Sequence, residues 1–87
     1  MRKIDFTAGY YEWQVIVDGE VIYAFNDFSD RFDKEDIDAD EVYYLVEDLV
    51  DSWKIEAHEN GNSFPLTEHE TNYLRDMMYN VIRNYYL

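Results

Sequence analysis

Acidic side chains spaced three and four residues apart are the groups in this sequence best suited to a chemical role. Between Asp40 and Asp51 their spacing places them on one face of an α-helix, with Tyr44 at its centre and Tyr43 at its border. Such carboxylates attract basic groups, and a tyrosine ring among them can stack on arginine. The spacing predicts a binding face for a basic protein surface, made of Asp40, Glu41, Tyr44, Glu47, Asp48 and Asp51.

A solvated helix exterior is the competing interpretation of the same residues. Helix exteriors are normally charged, but they usually mix the two signs. Here Lys54 is the only base on the predicted helix. Like charges three or four residues apart destabilise a helix by about 0.2–0.5 kcal/mol per pair, which solubility alone does not require. The sequence therefore allows two interpretations of this face, a binding surface and a surface that only keeps the protein soluble.

The charge of the whole chain limits the class of partner. Its 87 residues include 20 Asp and Glu against 7 Lys and Arg, for a formal net charge of −13. Eleven of the acids lie between Asp27 and Asp51, beside only Arg31 and Lys34. A field of this sign repels nucleic acid and anionic membranes. We therefore expect no direct binding to nucleic acid or membrane, and attraction to a basic protein or a cation.

The composition indicates one folded domain over residues 1–87. Hydrophobic residues make up 47% and aromatic residues 18% of the chain, which is too much for a disordered acidic tail. There is no cysteine, so disulfides and thiolate chemistry are excluded. The chain starts with Met1 and shows neither a signal peptide nor a run of apolar residues long enough to span a membrane. We expect a complete small protein in the cytoplasm.

The N-terminal segment predicts a β-hairpin. Residues 10–25 are rich in β-branched and aromatic residues, and Asp18-Gly19 at their middle is typical of a type I′ turn. Both faces of the hairpin are partly apolar, which leaves the core face open. Ile4–Phe6 could add a short third strand. The turn predicts pairing of Val17 with Glu20, Ile16 with Val21, Val15 with Ile22, Gln14 with Tyr23, Trp13 with Ala24 and Glu12 with Phe25.

Two amphipathic helices are expected after the hairpin. The first runs from Ala39 or Asp40 to Lys54, with Asp38 or Asp40 as N-cap. A loop over residues 58–63 follows, and a capping box at residues 67–70 starts the second helix, which runs to about Tyr86. The expected buried stripes are Val42, Leu45, Val46, Leu49, Val50 and Trp53, then Leu74, Met77, Met78, Val81, Ile82 and Tyr85. The predicted fold class is α+β, an N-terminal antiparallel hairpin or small sheet packed against two amphipathic helices.

The acids between Asp36 and Glu47 suggest a possible calcium site. Positions 1, 3, 5 and 12 of an EF-hand-like loop would be Asp36, Asp38, Asp40 and Glu47. Position 6 is Glu41, where the sharp turn of such a loop needs glycine, and the predicted helix would straighten the loop. We predict no metal site and no cofactor, and leave open weak calcium binding by these acids.

Catalytic signatures are missing from the sequence. His58 and His69 lie eleven residues apart without a partner motif, and there is no HExxH and no glycine-rich phosphate loop. We therefore predict that the protein is not an enzyme and has no catalytic residues.

The second helix predicts another contact surface. Tyr79 and Tyr86 project opposite its apolar stripe, beside Asn72, Arg75 and Arg83. This face is nearly neutral and suits self-association. The alternative function is therefore a structural or regulatory interaction module that forms a homodimer through the second helix and the hairpin, without imitating the row of phosphates of a DNA strand.

Short length, strong negative charge, lack of cysteine and the sheet-plus-helices pattern together resemble a class of small acidic phage proteins. The class includes anti-CRISPR inhibitors, anti-restriction proteins and other DNA mimics. The resemblance implies an inhibitor that occupies the nucleic-acid groove of a basic host defence protein, such as the site that reads a PAM or a guide–target duplex, in the host cytoplasm. No functional residue comes from the resemblance, because the six predicted contact residues rest on helical spacing alone.

Overall fold

The protein is described from a computed structural model, which covers residues 2–8, 12–26 and 38–86. Three strands, β1 (Ile4–Ala8), β2 (Glu12–Val17) and β3 (Glu20–Asn26), form an antiparallel sheet in the order β1-β2-β3. Two helices follow, α1 (Ala39–Glu59) and α2 (Glu68–Tyr86). The predicted α+β arrangement is confirmed, and the short third strand expected at Ile4–Phe6 is present as β1.

The turn between β2 and β3 has the backbone expected of Asp-Gly. Asp18 has φ 51° and Gly19 has φ 83°, so both central residues adopt the positive φ that a type I′ turn requires. Asp18 also ties the turn to β1. Its side chain accepts a hydrogen bond from the Lys3 N–H at 2.8 Å, and its own N–H donates to the Lys3 carbonyl at 2.8 Å.

A β-bulge changes the predicted register. The pairs Val17–Glu20 and Ile16–Val21 are confirmed, but the register shifts between Val15 and Ile16, where Ile22 is the extra residue of β3. The other four predicted pairs are wrong by one residue. The observed pairs are Val15 with Tyr23, Gln14 with Ala24, Trp13 with Phe25 and Glu12 with Asn26.

The bulge decides which side chains of β3 reach the core. With the extra residue, Tyr23 and Phe25 face the helices, whereas the predicted register would have put Ile22 and Ala24 there. Tyr23 stacks on Trp53 of α1 with ring centroids 5.1 Å apart, and its hydroxyl donates a hydrogen bond to Glu56. Burial, then the hydrogen bond to Glu56, raises the pKa of Tyr23 to about 12. Phe25 is thereby buried and Tyr23 is half-buried against the core, where Ile22 also packs in part.

The hydrophobic core lies between one face of the sheet and the two helices. The sheet contributes Ile4, Phe6, Trp13, Val15, Val17 and Phe25, while all six residues of the stripe predicted for α1 are buried. On α2 the stripe is only partly as predicted. Leu74, Met78 and Ile82 are buried, but Tyr85 stays 57% exposed while its ring meets Trp13 edge-on. Thr71, which the apolar pattern missed, is buried and donates its hydroxyl to the Thr67 carbonyl at 2.8 Å.

The helix ends follow local hydrogen bonding. Asp38, rather than Asp40, caps α1, because its side chain accepts from the Glu41 N–H at 2.9 Å. The predicted end of α1 at Lys54 is wrong, because the helix continues to Glu59 and so includes the first two residues of the expected loop. No Gly or Pro interrupts the helix before Asn60. Gly61 then adopts φ 72° in the turn that follows.

Glu70 connects three parts of the chain. In the confirmed capping box, the Thr67 hydroxyl accepts from the Glu70 N–H at 3.1 Å and Glu70 accepts from the Thr67 N–H at 3.0 Å. Glu70 also receives two hydrogen bonds from the Arg2 guanidinium, which donates a third to the Pro65 carbonyl at 2.8 Å. The hydrogen bonds from Arg2, and then those from Thr67, lower the pKa of Glu70 to about 2.

We predict that Glu70→Gln destabilises the fold in a pH-dependent manner. Glutamine can still complete the capping box, but it cannot form the ion pair with Arg2. Because the folded-state pKa of about 2 lies below the ordinary 4.5, ionised Glu70 stabilises the fold above pH 4.5, and this contribution is lost as the pH falls towards 2. Urea unfolding at several pH values should show a deficit relative to wild type at neutral pH that disappears towards pH 2. Glu68→Gln, at an exposed neighbouring position, is the control and should show a smaller deficit at neutral pH; a Glu70→Gln deficit that does not change with pH would contradict the prediction.

Candidate protein-binding surface

The outer face of α1 carries four of the predicted acids in exposed positions. Asp40, Glu41, Asp48 and Asp51 are all exposed, and Tyr44 between them is 67% exposed. These five residues are called the acidic face below. At a rise of about 1.5 Å per residue, Asp40 and Asp51 lie about 16 Å apart along the helix axis. That length equals about five nucleotides of a DNA strand at 3.4 Å each.

Glu47 is placed differently from the other acids. It is half-buried against α2, where its Oε1 lies 3.2 Å from Nε of Arg75. The two atoms are close enough for an ion pair but are not aligned for a hydrogen bond. Arg75 also donates from Nη1 to the Asn72 side chain at 2.9 Å. The charge of Glu47 is therefore compensated within the protein. Arg75, which the sequence placed on a separate surface of α2, belongs instead to the contact between the two helices.

A groove between the two helices joins the two surfaces that the sequence suggested separately. Its volume is about 570 Å³. The lining residues come from both helices and are Tyr43, Val46, Glu47, Asn72, Arg75, Asp76 and Tyr79. Asp76 was missed by sequence reasoning, although it lies three residues before Tyr79 and four after Asn72, which is the spacing of one helix face. The groove is called the interhelical groove below.

Exposed aromatic and aliphatic groups adjoin the acids of the acidic face. Ile55 is 59% exposed and lies four residues after Asp51, so it continues the same face towards the end of α1. At the border of the face, the ring of Tyr43 meets the ring of Tyr44 at a centroid distance of 5.9 Å. The sequence analysis did not include Ile55 in the binding face. The feature that could have identified it is an apolar residue on the otherwise polar side of the helix. Aromatic and aliphatic groups beside charges are the usual composition of a protein-binding surface.

The tyrosine surface predicted on α2 is partly brought into the same region. Tyr79 is half-buried in the interhelical groove, and the guanidinium carbon of Arg83 lies 6.0 Å from the centre of its ring. The side chain of Tyr86 lies outside the described part of the molecule. The surface is therefore continuous with the groove rather than a separate face of α2.

The calcium and histidine interpretations receive no geometric support. Asp36 lies outside the described residues, Asp38 is used as the cap of α1, and Asp40 and Glu47 belong to a regular helix that does not wrap around an ion. Within residues 2–8, 12–26 and 38–86, no three acidic or histidine side chains converge as metal ligands. His58 and His69 are both exposed on separate helices.

Within the described residues, neither helix is long and apolar enough to cross a membrane.

Comparison with known proteins leaves the surface as the basis for function. Protein-family models give no match to this chain. Neither a curated protein nor a solved structure matches it. Fold and surface together define a class: a two-layer α+β domain that presents an acidic helix face.

We predict that the Glu47–Arg75 ion pair contributes little to stability. Its side chains are 33% and 22% exposed, so water screens their attraction. A double-mutant cycle of Glu47→Gln and Arg75→Gln, measured by urea unfolding, should give a coupling free energy of about 0.2–1 kcal/mol that decreases with added salt. A coupling of about 3 kcal/mol or more, the scale of a buried pair, would contradict this.

Proposed function

We propose that this protein binds a basic nucleic-acid-binding protein through the acidic face of α1 and thereby inhibits it. The acids would take the place of phosphates in the partner's nucleic-acid groove, so that DNA or RNA no longer enters. The finer proposal is an inhibitor of the anti-CRISPR or anti-restriction type that acts by DNA mimicry. The partner would be a host defence protein.

The observation that carries this proposal is that no Lys or Arg among the described residues forms an ion pair with a carboxylate of the acidic face, although Lys54 lies three residues after Asp51. Five bases are described, and each contacts another group. Arg2 pairs with Glu70, Lys3 with Asp5 and Arg75 with Glu47. Lys54 Nζ lies 5.5 Å from the ring centre of Phe64, and Arg83 lies over Tyr79.

An uncompensated row of charges is costly for the isolated protein, which is why a partner is inferred. Like charges on one helix face repel, as Asp48 and Asp51 do three residues apart, and the repulsion is relieved when a surface of Lys and Arg covers them. A groove that binds nucleic acid is such a surface, because it is built to neutralise a row of phosphates. Tyr44 at the centre of the row supplies the aromatic contact that arginine-rich surfaces bind well.

We predict that Asp48→Lys with Asp51→Lys strongly weakens capture of the partner. The immobilised wild-type protein should retain a nucleic-acid-binding protein from host lysate, and duplex DNA should displace that protein. Replacing these two acids of the face by lysines should weaken binding by about tenfold or more, because like charges then face each other. Binding of the wild type should also fall steeply as salt is raised.

The matched control moves the same charge change elsewhere. Glu20→Lys with Glu68→Lys alters the net charge equally, at exposed positions on β3 and at the start of α2. This variant should retain the partner almost as well as wild type, and far-UV circular dichroism should show that both variants are folded. Equal loss in both variants would show that total charge, rather than the acidic face, governs binding. Capture that duplex DNA does not compete away would overturn the mimicry.

Exposed apolar groups on the hairpin and α2 favour a second candidate, the self-associating module. Val21 is 49% exposed and pairs with Ile16 on the sheet face opposite the helices, while Tyr73 and Tyr85 are exposed on α2. If these surfaces join two copies, sedimentation equilibrium should give an average mass that rises with protein concentration from one to two chains. A mass of one chain at all concentrations would remove this candidate.

A further inference from the structure

The interhelical groove offers one uncompensated carboxylate. Glu47 at the groove is already paired with Arg75. Asp76, in contrast, forms no hydrogen bond or ion pair with any described residue, and its side chain is exposed. The groove therefore carries two negative charges and one positive charge, and Asp76 is the acid left to interact with a cation.

Two aromatic residues line the groove together with this carboxylate. Tyr43, from α1, is 55% exposed, and Tyr79 belongs to α2. The Arg83 guanidinium already lies 6.0 Å from the centre of the Tyr79 ring, so Tyr43 is the ring of this groove that is left to interact with a planar cation from a partner. The groove volume of about 570 Å³ lies in the range of pockets that enclose small organic groups.

We propose that the interhelical groove receives an arginine side chain of the basic partner. The inference rests on the proposed function, since the groove adjoins the acidic face at Tyr43 and Tyr44 and would be covered by the same partner. Asp76 would accept hydrogen bonds from the guanidinium, and Tyr43 would stack on its plane. Arginine fits better than lysine because its planar fork both pairs with a carboxylate and stacks on a ring.

The groove assignment also explains a difference between the two surfaces. The acidic face has only one ring, Tyr44, and suits any dense set of positive charges. The groove adds rings and a concave shape, which select one type of basic side chain. The acidic face would then supply attraction at a distance, and the groove would supply the choice of arginine over lysine.

The test uses two capped peptides of equal charge, tri-arginine and tri-lysine, titrated into the ¹⁵N-labelled full chain and followed by NMR. Tri-arginine should shift the amide signals of Tyr43, Asn72 and Asp76 in a saturable manner and bind several-fold more tightly than tri-lysine. Asp76→Asn should remove most of this preference. The control Glu68→Gln, an equal charge change in the first turn of α2, should keep it.

A second pair of variants tests the aromatic contact. Tyr43→Phe should keep the preference for tri-arginine, and Tyr43→Leu should reduce it several-fold, because only the ring stacks on the guanidinium. Equal affinities for the two peptides, or shifts confined to the acidic face, would overturn the proposal. Groove signals that shift with protein concentration alone would assign the groove to a second copy of this chain and would likewise overturn it.

The outcomes separate the groove from the proposed function. If tri-arginine is not preferred while DNA-competed capture of the partner persists, only the groove assignment fails. If tri-arginine binds as expected but no nucleic-acid-binding protein is retained from lysate, the proposed function fails and the groove remains an arginine site.

Discussion

The packing of α1 on the aromatic residues of the sheet is the interaction on which the rest of the structure depends. Trp53 contacts Tyr23 of β3 at 5.1 Å and Phe64 of the following loop at 4.3 Å, measured between ring centroids. These contacts set the rotation of α1 about its own axis. Because side chains leave a helix at fixed angles, burying the Trp53 stripe obliges the acids on the opposite side to face solvent.

The arginine residues that pair with carboxylates do so away from the acidic face. Arg2 holds the N-terminal strand to the start of α2 through Glu70, and Arg75 compensates Glu47 at the junction of the helices. Structural ion pairs thus use the positive charge to hold elements together. Much of the net charge of −13 then stays on the surface, where it opposes compaction and favours a basic partner.

Prediction from the sequence succeeded where a signal is local. The type I′ turn at Asp18-Gly19, the capping box at Thr67 and the apolar stripe of α1 each depend on residues a few positions apart, and each is confirmed. The bulge at Ile22 could not be predicted, because the regular register also pairs apolar residues. The shifted register is favoured because it lets Tyr23 stack on Trp53, which lies far along the chain.

Some features of the candidate surface could likewise be predicted from the sequence, and others could not. The sequence by itself determined that α1 has an acidic side centred on Tyr44, since helical period and residue type suffice for that. Only the tertiary structure decided that Glu47 is compensated by Arg75, and that Tyr43 and Asp76 line one groove. The reason is physical: the spacing within a helix fixes angles around its own axis, but the pairing of two helices depends on how both pack on the same core.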